Sequence, residues 1–183
     1  MKKEIEKQTS PTTRKPLHPK HAEDLSVIFE DLLKDIFWAE KHLTKALPKM
    51  SKAAHGKDLK AGFDKHLEET NNQIVRLEKV FELMGKKAVA KKCAAMEGLV
   101  KEGEEAIEAY EMGFARDASL IVAAQKVEHY EIAAYGSLRT HATLLGMDEA
   151  VKLLIETLNE EKTTDQSLTT LSETINEWAL QPE

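Results

Sequence analysis

Between residues 24 and 54, Leu25, Ile28, Phe29, Leu32, Leu33, Ile36, Leu43 and Leu47 recur at three- and four-residue spacing. That period lines one face of an α-helix, and because it returns three more times along the chain, few folds other than a helical bundle can use it. It predicts helix A from Asp24 to about Ala54, with Gly56 beyond its end. A kink is expected at Pro48, which has no N–H to offer the carbonyl of Thr44. Helix B follows from Asp58, with Phe63, Ile74, Leu77, Val80, Phe81 and Met84 on one side and Gly85 as its C-terminal cap. Residues 92 to 112, interrupted by Gly98 and Gly103, predict a weaker connecting helix. Helix D is expected from an N-cap at Asp117 to Gly146, and helix E from an N-cap at Asp148 to Trp178. The chain carries no strand or hairpin signal, so the expected class is all-α with five helices.

Helices A and B are joined by a short turn, as are D and E, so each pair forms an antiparallel hairpin. Four helices of roughly 28 residues would each be about 40 Å long. Two hairpins linked by one long crossover make a four-helix bundle of the ferritin-like arrangement. Residues 1–22, with Pro11, Pro16 and Pro19 among polar neighbours, are expected to be a flexible arm, and residues 23–180 one domain. The 183 residues suffice for a single core without disulfide support.

The lone cysteine, Cys93, excludes an internal disulfide and any metal site built on several thiolates, and points to a cytoplasmic location. The opening stretch MKKEIEKQTSPTTRKPLHPKH has no apolar segment of the kind a secretory signal needs, and no run of apolar residues approaches bilayer length. A net charge of −6, with lysines interspersed among glutamates, argues against a nucleic-acid surface.

The inner stripes of the four long helices are interrupted by acids. On helix A the stripe through Phe29, Leu33, Ile36, Leu43 and Leu47 passes through Glu40, with Asp35 one position off it. On helix B, His66, Glu69 and Gln73 share a face with Leu77 and Val80. Helix D carries Gln125, Glu128, Glu131 and Tyr135 between Ile121 and Leu138, and helix E carries Glu161 and Asp165 between Leu158 and Leu168. Carboxylates gathered in a core cost several kcal/mol each if left ionised and unpaired, so they must hold protons, cations or partners such as Arg76 and Arg139. Oxygen ligands from facing helices, with an imidazole or amide, suit iron or manganese. His129 faces another way, Glu97 on the connector belongs to an acidic surface, and the Tyr135 hydroxyl is expected to bond a carboxylate.

The stretches DIFWAEKHLTKALPKM, FDKHLEETNNQIVRLEKVFELMG, AAMEGLVKEG, AAQKVEHYEIAAYGSLRTHA and TLNEEKTTDQSLTTL resemble the ferritin-like superfamily, and more closely its bacterial stress-associated YciF/YciE-type family, over about residues 24 to 178. The resemblance implies a dinuclear metal site. Rubrerythrin-type relatives place a glutamate on the first helix, Glu-x-x-His on the second, Glu-x-x-Glu on the third and Glu-x-x-x-His on the fourth. Glu40, Glu69, Glu128 with Glu131, and Glu161 fit those positions. Asn72 and Asp165 stand where the two histidines would be, so His66 or Gln73 is the candidate replacement on helix B. The expected ligands are thus Glu40, Glu69, Glu128, Glu131, Glu161 and Asp165, with His66 and Gln73 next, around two iron or manganese ions. Glu128 and Glu161 are expected to lie within bridging reach. The expected partners are a second copy of the chain and a small oxidant, peroxide or oxygen. The competing reading is a metal-free helical stress protein with no catalytic role, its inner acids protonated or salt-bridged.

Overall fold

The computed structural model describes residues 19–181. They form α1 (Pro19–Ala53), α2 (Lys57–Leu83), α3 (Ala94–Ala109), α4 (Phe114–Leu144) and α5 (Asp148–Trp178), and there is no strand among the described residues. Of the expected arm over residues 1–22, residues 19–22 belong to α1, and the rest lies outside the described residues. α1 also runs through Pro48 to Ala53. Pro48 is exposed, while Leu47 and Met50 on either side are buried, so packing of the inner face carries the helix past the missing N–H. Ile28, expected inside, is 53% exposed, and the buried stripe starts at Phe29.

Two caps differ from expectation. α4 begins at Phe114, and Asp117, already inside it, turns its carboxylate onto the α1–α2 turn, accepting from the backbone N–H groups of His55 (2.8 Å) and Gly56 (2.7 Å). A Cβ on Gly56 would sit 3.1 Å from Asp117 Oδ2, so this close approach favours glycine there. At α5 the N-cap position is Met147, and Asp148 opens the helix, where a negative charge favours the macrodipole. The cap at Gly85 is as expected: its φ is +67°, and Lys86 N–H reaches back to the carbonyl of Phe81 at 3.0 Å.

α1 packs on α2 and α4, and α5 packs on both α2 and α4, so the four long helices close a ring. α3 lies across α1 and α4. The crossover runs the length of α1: Lys91 N–H bonds Lys34 O near its start (3.0 Å), and Glu104 pairs with Lys49 near its end (2.6 Å). Phe29, Leu33, Ile36, Leu77 and Phe81 fill one end of the interior, and Leu43, Leu59, Phe63, Leu120 and Leu168 the other. Each large apolar side chain so buried is worth about 1.5–3 kcal/mol. Between those two layers the interior is polar.

Candidate metal centre

The polar layer is built from the middles of the four long helices. Glu40, His66, Gln73, Glu128, Glu131 and Glu161 are each at most 3% exposed. One donor atom from each of His66, Glu128, Glu131 and Glu161 lies within 4.8 Å of the others, so Glu128 and Glu161 are as close as bridging requires. Helical period explains the convergence on α4, where Glu128 and Glu131 are one turn apart and project the same way.

Glu40 reaches the layer from α1. Tyr135 Oη donates to Glu40 Oε1, as expected for that tyrosine, and Glu40 is also within hydrogen-bond reach of Glu131. Glu128 and Glu161 stand in the same relation. Such acid pairs bond only if a proton sits between them. As carboxylates they have none, and Glu40 Oε2, Glu128 Oε2 and both oxygens of Glu131 and Glu161 lack any hydrogen-bond partner. His66 Nε2 is 3.2 Å from Glu128 Oε1 but not aligned to bond it, and Nδ1 stands 4.0 Å from Glu161 Oε2 and from Glu69 Oε2. Natural proteins rarely leave so many buried polar atoms unsatisfied.

The electrostatics agree. Burial pushes the Glu40 carboxyl up to about 8, against the opposing bond from Tyr135. Glu128, Glu131 and Glu161 are held well above the ordinary carboxylate range, first by burial and then by Glu40; neighbours in the layer raise Glu131 and Glu161 further, whereas the bond from Glu161 opposes the shift of Glu128. Burial, with the nearby Lys65 charge, lowers His66 to about 4, so its imidazole is neutral at pH 7 and able to bind a cation.

Arg76 and Arg139 do not neutralise the layer. Arg76 extends to Glu156 (2.6 Å) and Glu160 (2.7 Å) on the outer side of α5, and Arg139 is exposed. Glu160, which the sequence pattern did not single out, also accepts from Gln73 Nε2 at 3.1 Å, leaving Gln73 Oε1 buried without a partner. Its only signal is its place beside Glu161, on what reads as the outer face.

Glu69 and Asp165 are less central than their spacing implies. Glu69 sits at the rim, with Oε1 on Lys65 at 2.5 Å and Oε2 turned inward without a partner. Asp165, about 40° around α5 from Glu161, points toward α4, where Gln125 Nε2 (3.3 Å) and His129 Nε2 (3.4 Å) meet it. Neither joins the four-residue cluster, nor does Glu40, which meets it through Glu131. Asp35 bonds the Tyr130 hydroxyl, and Glu97 pairs with Lys92 at the surface.

The donor set, one neutral imidazole among several carboxylates with free lone pairs, fits a hard or borderline divalent cation better than a soft one. A four-helix bundle with a single crossover and inward carboxylates on facing helices belongs to the ferritin-like class. Within that class the chain belongs to the DUF892 family, described as a domain of unknown function, which matches residues 24–180. It is 51% identical over 146 residues to the protein YciF of Escherichia coli K12, spanning 79% of this chain and 88% of YciF. The crystal structure of the E. coli stress protein YciF superposes with a TM-score of 0.81 at 49% identity, covering 84% of this chain and 97% of that one. YcfI of Rhodopseudomonas palustris gives 0.78 at 42% identity, covering 84% and 98%. A Xanthomonas campestris protein at 22% identity, with a TM-score of 0.63 over 84% and 92%, shares the fold.

Proposed function

We propose that this chain is a stress-associated, cytoplasmic ferritin-like protein that holds two iron or manganese ions in its bundle core and serves oxidative chemistry with peroxide or oxygen. The observation that carries the reading is the set of unpartnered buried oxygens on Glu128, Glu131 and Glu161 clustered with a neutral His66, with Glu40 beside Glu131 and, among the described residues, no lysine or arginine bonded to them. Those five residues would hold the ions, with the inward oxygen of Glu69 and the free Oε1 of Gln73 beside them. Asp165 would act from the α4–α5 groove. Bound iron or manganese would supply the redox capacity that no side chain here offers.

The chain's own residues set the conditions. Tyr135 fixes the rotamer of Glu40 and keeps one of its oxygens bonded. Glu160 ties Arg76 and Gln73 into one network, closing the outer side between α2 and α5. Apolar layers above and below exclude water, so electrostatic interactions within are strong. The similarity to a stress protein supports the physiological side of the reading. A symmetric pair of chains is its expected assembly.

Elemental analysis of protein purified without chelator tests this directly. The expected result is about two iron or manganese ions per chain. Metal-free protein that also fails to take up either ion would favour the alternative, a helical stress protein whose inner acids simply keep their protons.

A further inference from the structure

A cavity of about 60 Å³ lies just off the polar layer, lined by residues of all four long helices. Its walls are Leu43 and Leu47 of α1, Phe63 of α2, Val127 of α4, and Leu168 and Leu171 of α5. Its inner end is formed by His66 and Glu128, two of the four clustered donors. Its outer end opens between α2 and α5 beside Gly62, and there the Lys65–Glu69 ion pair marks the rim.

Five buried polar atoms of the lining residues lack partners: both His66 nitrogens, Glu69 Oε2, Glu128 Oε2 and Thr164 Oγ1. His66 is 3% exposed. An apolar pocket with a few convergent polar groups is the usual form of a small-molecule site. At roughly 10–15 Å³ for each water-sized unit, the volume corresponds to about four to six such units, or on the order of five heavy atoms in a chain. Water alone would satisfy the polar end and leave the leucine walls wet.

We infer that the pocket binds a short-chain aliphatic molecule carrying one hydroxyl-type head, an alcohol or alkyl hydroperoxide of about four carbons, with the head toward His66 and the tail along Leu47 and Leu168. The inference rests on the proposed metal centre for what the bound head would meet, but binding itself needs only the pocket. It also specifies the class of oxidant: an alkyl hydroperoxide fits these walls better than hydrogen peroxide does.

Gly62 supplies the test. It is a helical residue with a negative φ, and a Cβ added there meets nothing within 4 Å, so Gly62→Leu fills the opening without displacing the core. The probe is 1-butanol, unreactive and of the right size, with 1,4-butanediol as the polar control. Saturation-transfer NMR on full-length protein, with metal content measured on the same samples, is expected to give saturable 1-butanol binding in the millimolar range. Binding should weaken at least tenfold in Gly62→Leu and with 1,4-butanediol, while metal content stays unchanged. Absence of saturable binding, or equal binding by wild type and Gly62→Leu, overturns the pocket. Protein that takes up neither iron nor manganese yet binds 1-butanol with this pattern sinks the metal reading and leaves the pocket standing.

Discussion

Glu128 and Glu161 are the residues on which the two readings of the core differ most. Replacing both with glutamine nearly keeps their volume and removes two buried groups that burial and the neighbouring acids make costly to ionise. The variant is expected to ignore added iron or manganese and yet to be about 1–4 kcal/mol more stable than metal-free wild type, as measured by urea melts. Acid titration gives a second expectation. Glu40 is raised to about 8 in the fold, so its contribution is full below the unfolded carboxylate value and is lost as pH rises through 8. His66, lowered to about 4, contributes fully above the unfolded imidazole value near 6.5 and loses that only as pH falls toward 4. Between pH 6.5 and 8 the inner acids therefore dominate. Metal-free protein should lose up to about 1.4 kcal/mol per pH unit for each such acid, whereas loaded protein should not, because metal binding favours the deprotonated carboxylate. Melting curves at several pH values, with and without chelator, check this. Glu40, Glu128, Glu131 and Glu161 could be found from sequence because each interrupts an otherwise apolar stripe. Glu69 and Asp165 lie at stripe edges, where periodicity cannot say whether a side chain turns in or along the groove, and His66 looked secondary because its spacing does not match the Glu-x-x-His pattern.

At the scale of elements, helix number, order and approximate bounds followed from the 3.6-residue period, and the errors fall at the ends. Asp117 shows why. An aspartate ahead of an apolar run has the same sequence signature whether it caps its own helix or reaches across space, and only the fold brings it to the α1–α2 turn. Asp117→Ala should leave two backbone N–H groups unbonded and cost at least about 2 kcal/mol in chemical denaturation. Asp117→Asn should recover part of that loss, and neither should alter metal content. Gly56→Ala, crowding the same carboxylate, is expected to destabilise despite the ordinary benefit of removing a glycine.

For the whole molecule, ligand linkage sets the size of the metal effect. Free metal a hundredfold above its dissociation constant adds about 2.7 kcal/mol, so chelation should lower the melting temperature by roughly 5–10 °C for a domain of this length. Calorimetry with and without chelator checks it, and an indifferent wild type would count against the centre. Sedimentation should find a small closed oligomer, a dimer, and no hollow shell. Among the described residues the exposed apolar side chains include Trp178, Tyr110 and Met112, which share one depression at one end of the bundle. Nothing in the amino-acid pattern specifies an assembly, because interfaces use the outer faces that the helical period leaves free to vary.

The crossover along α1 has a consequence for how the chain acquires its structure. Each hairpin closes through contacts near in sequence, whereas the two hairpins meet only across the long connection, so docking is the slow, late event. Glu40 and His66 arrive with the first hairpin, Glu128, Glu131 and Glu161 with the second. Helix formation is therefore indifferent to the charge problem, and the final collapse meets all of it at once. A proton, or on the proposed reading a cation, would act as the clasp at that moment. Refolding in chelator should slow as pH rises through about 8, where the inner acids lose their protons, and added metal should restore the rate.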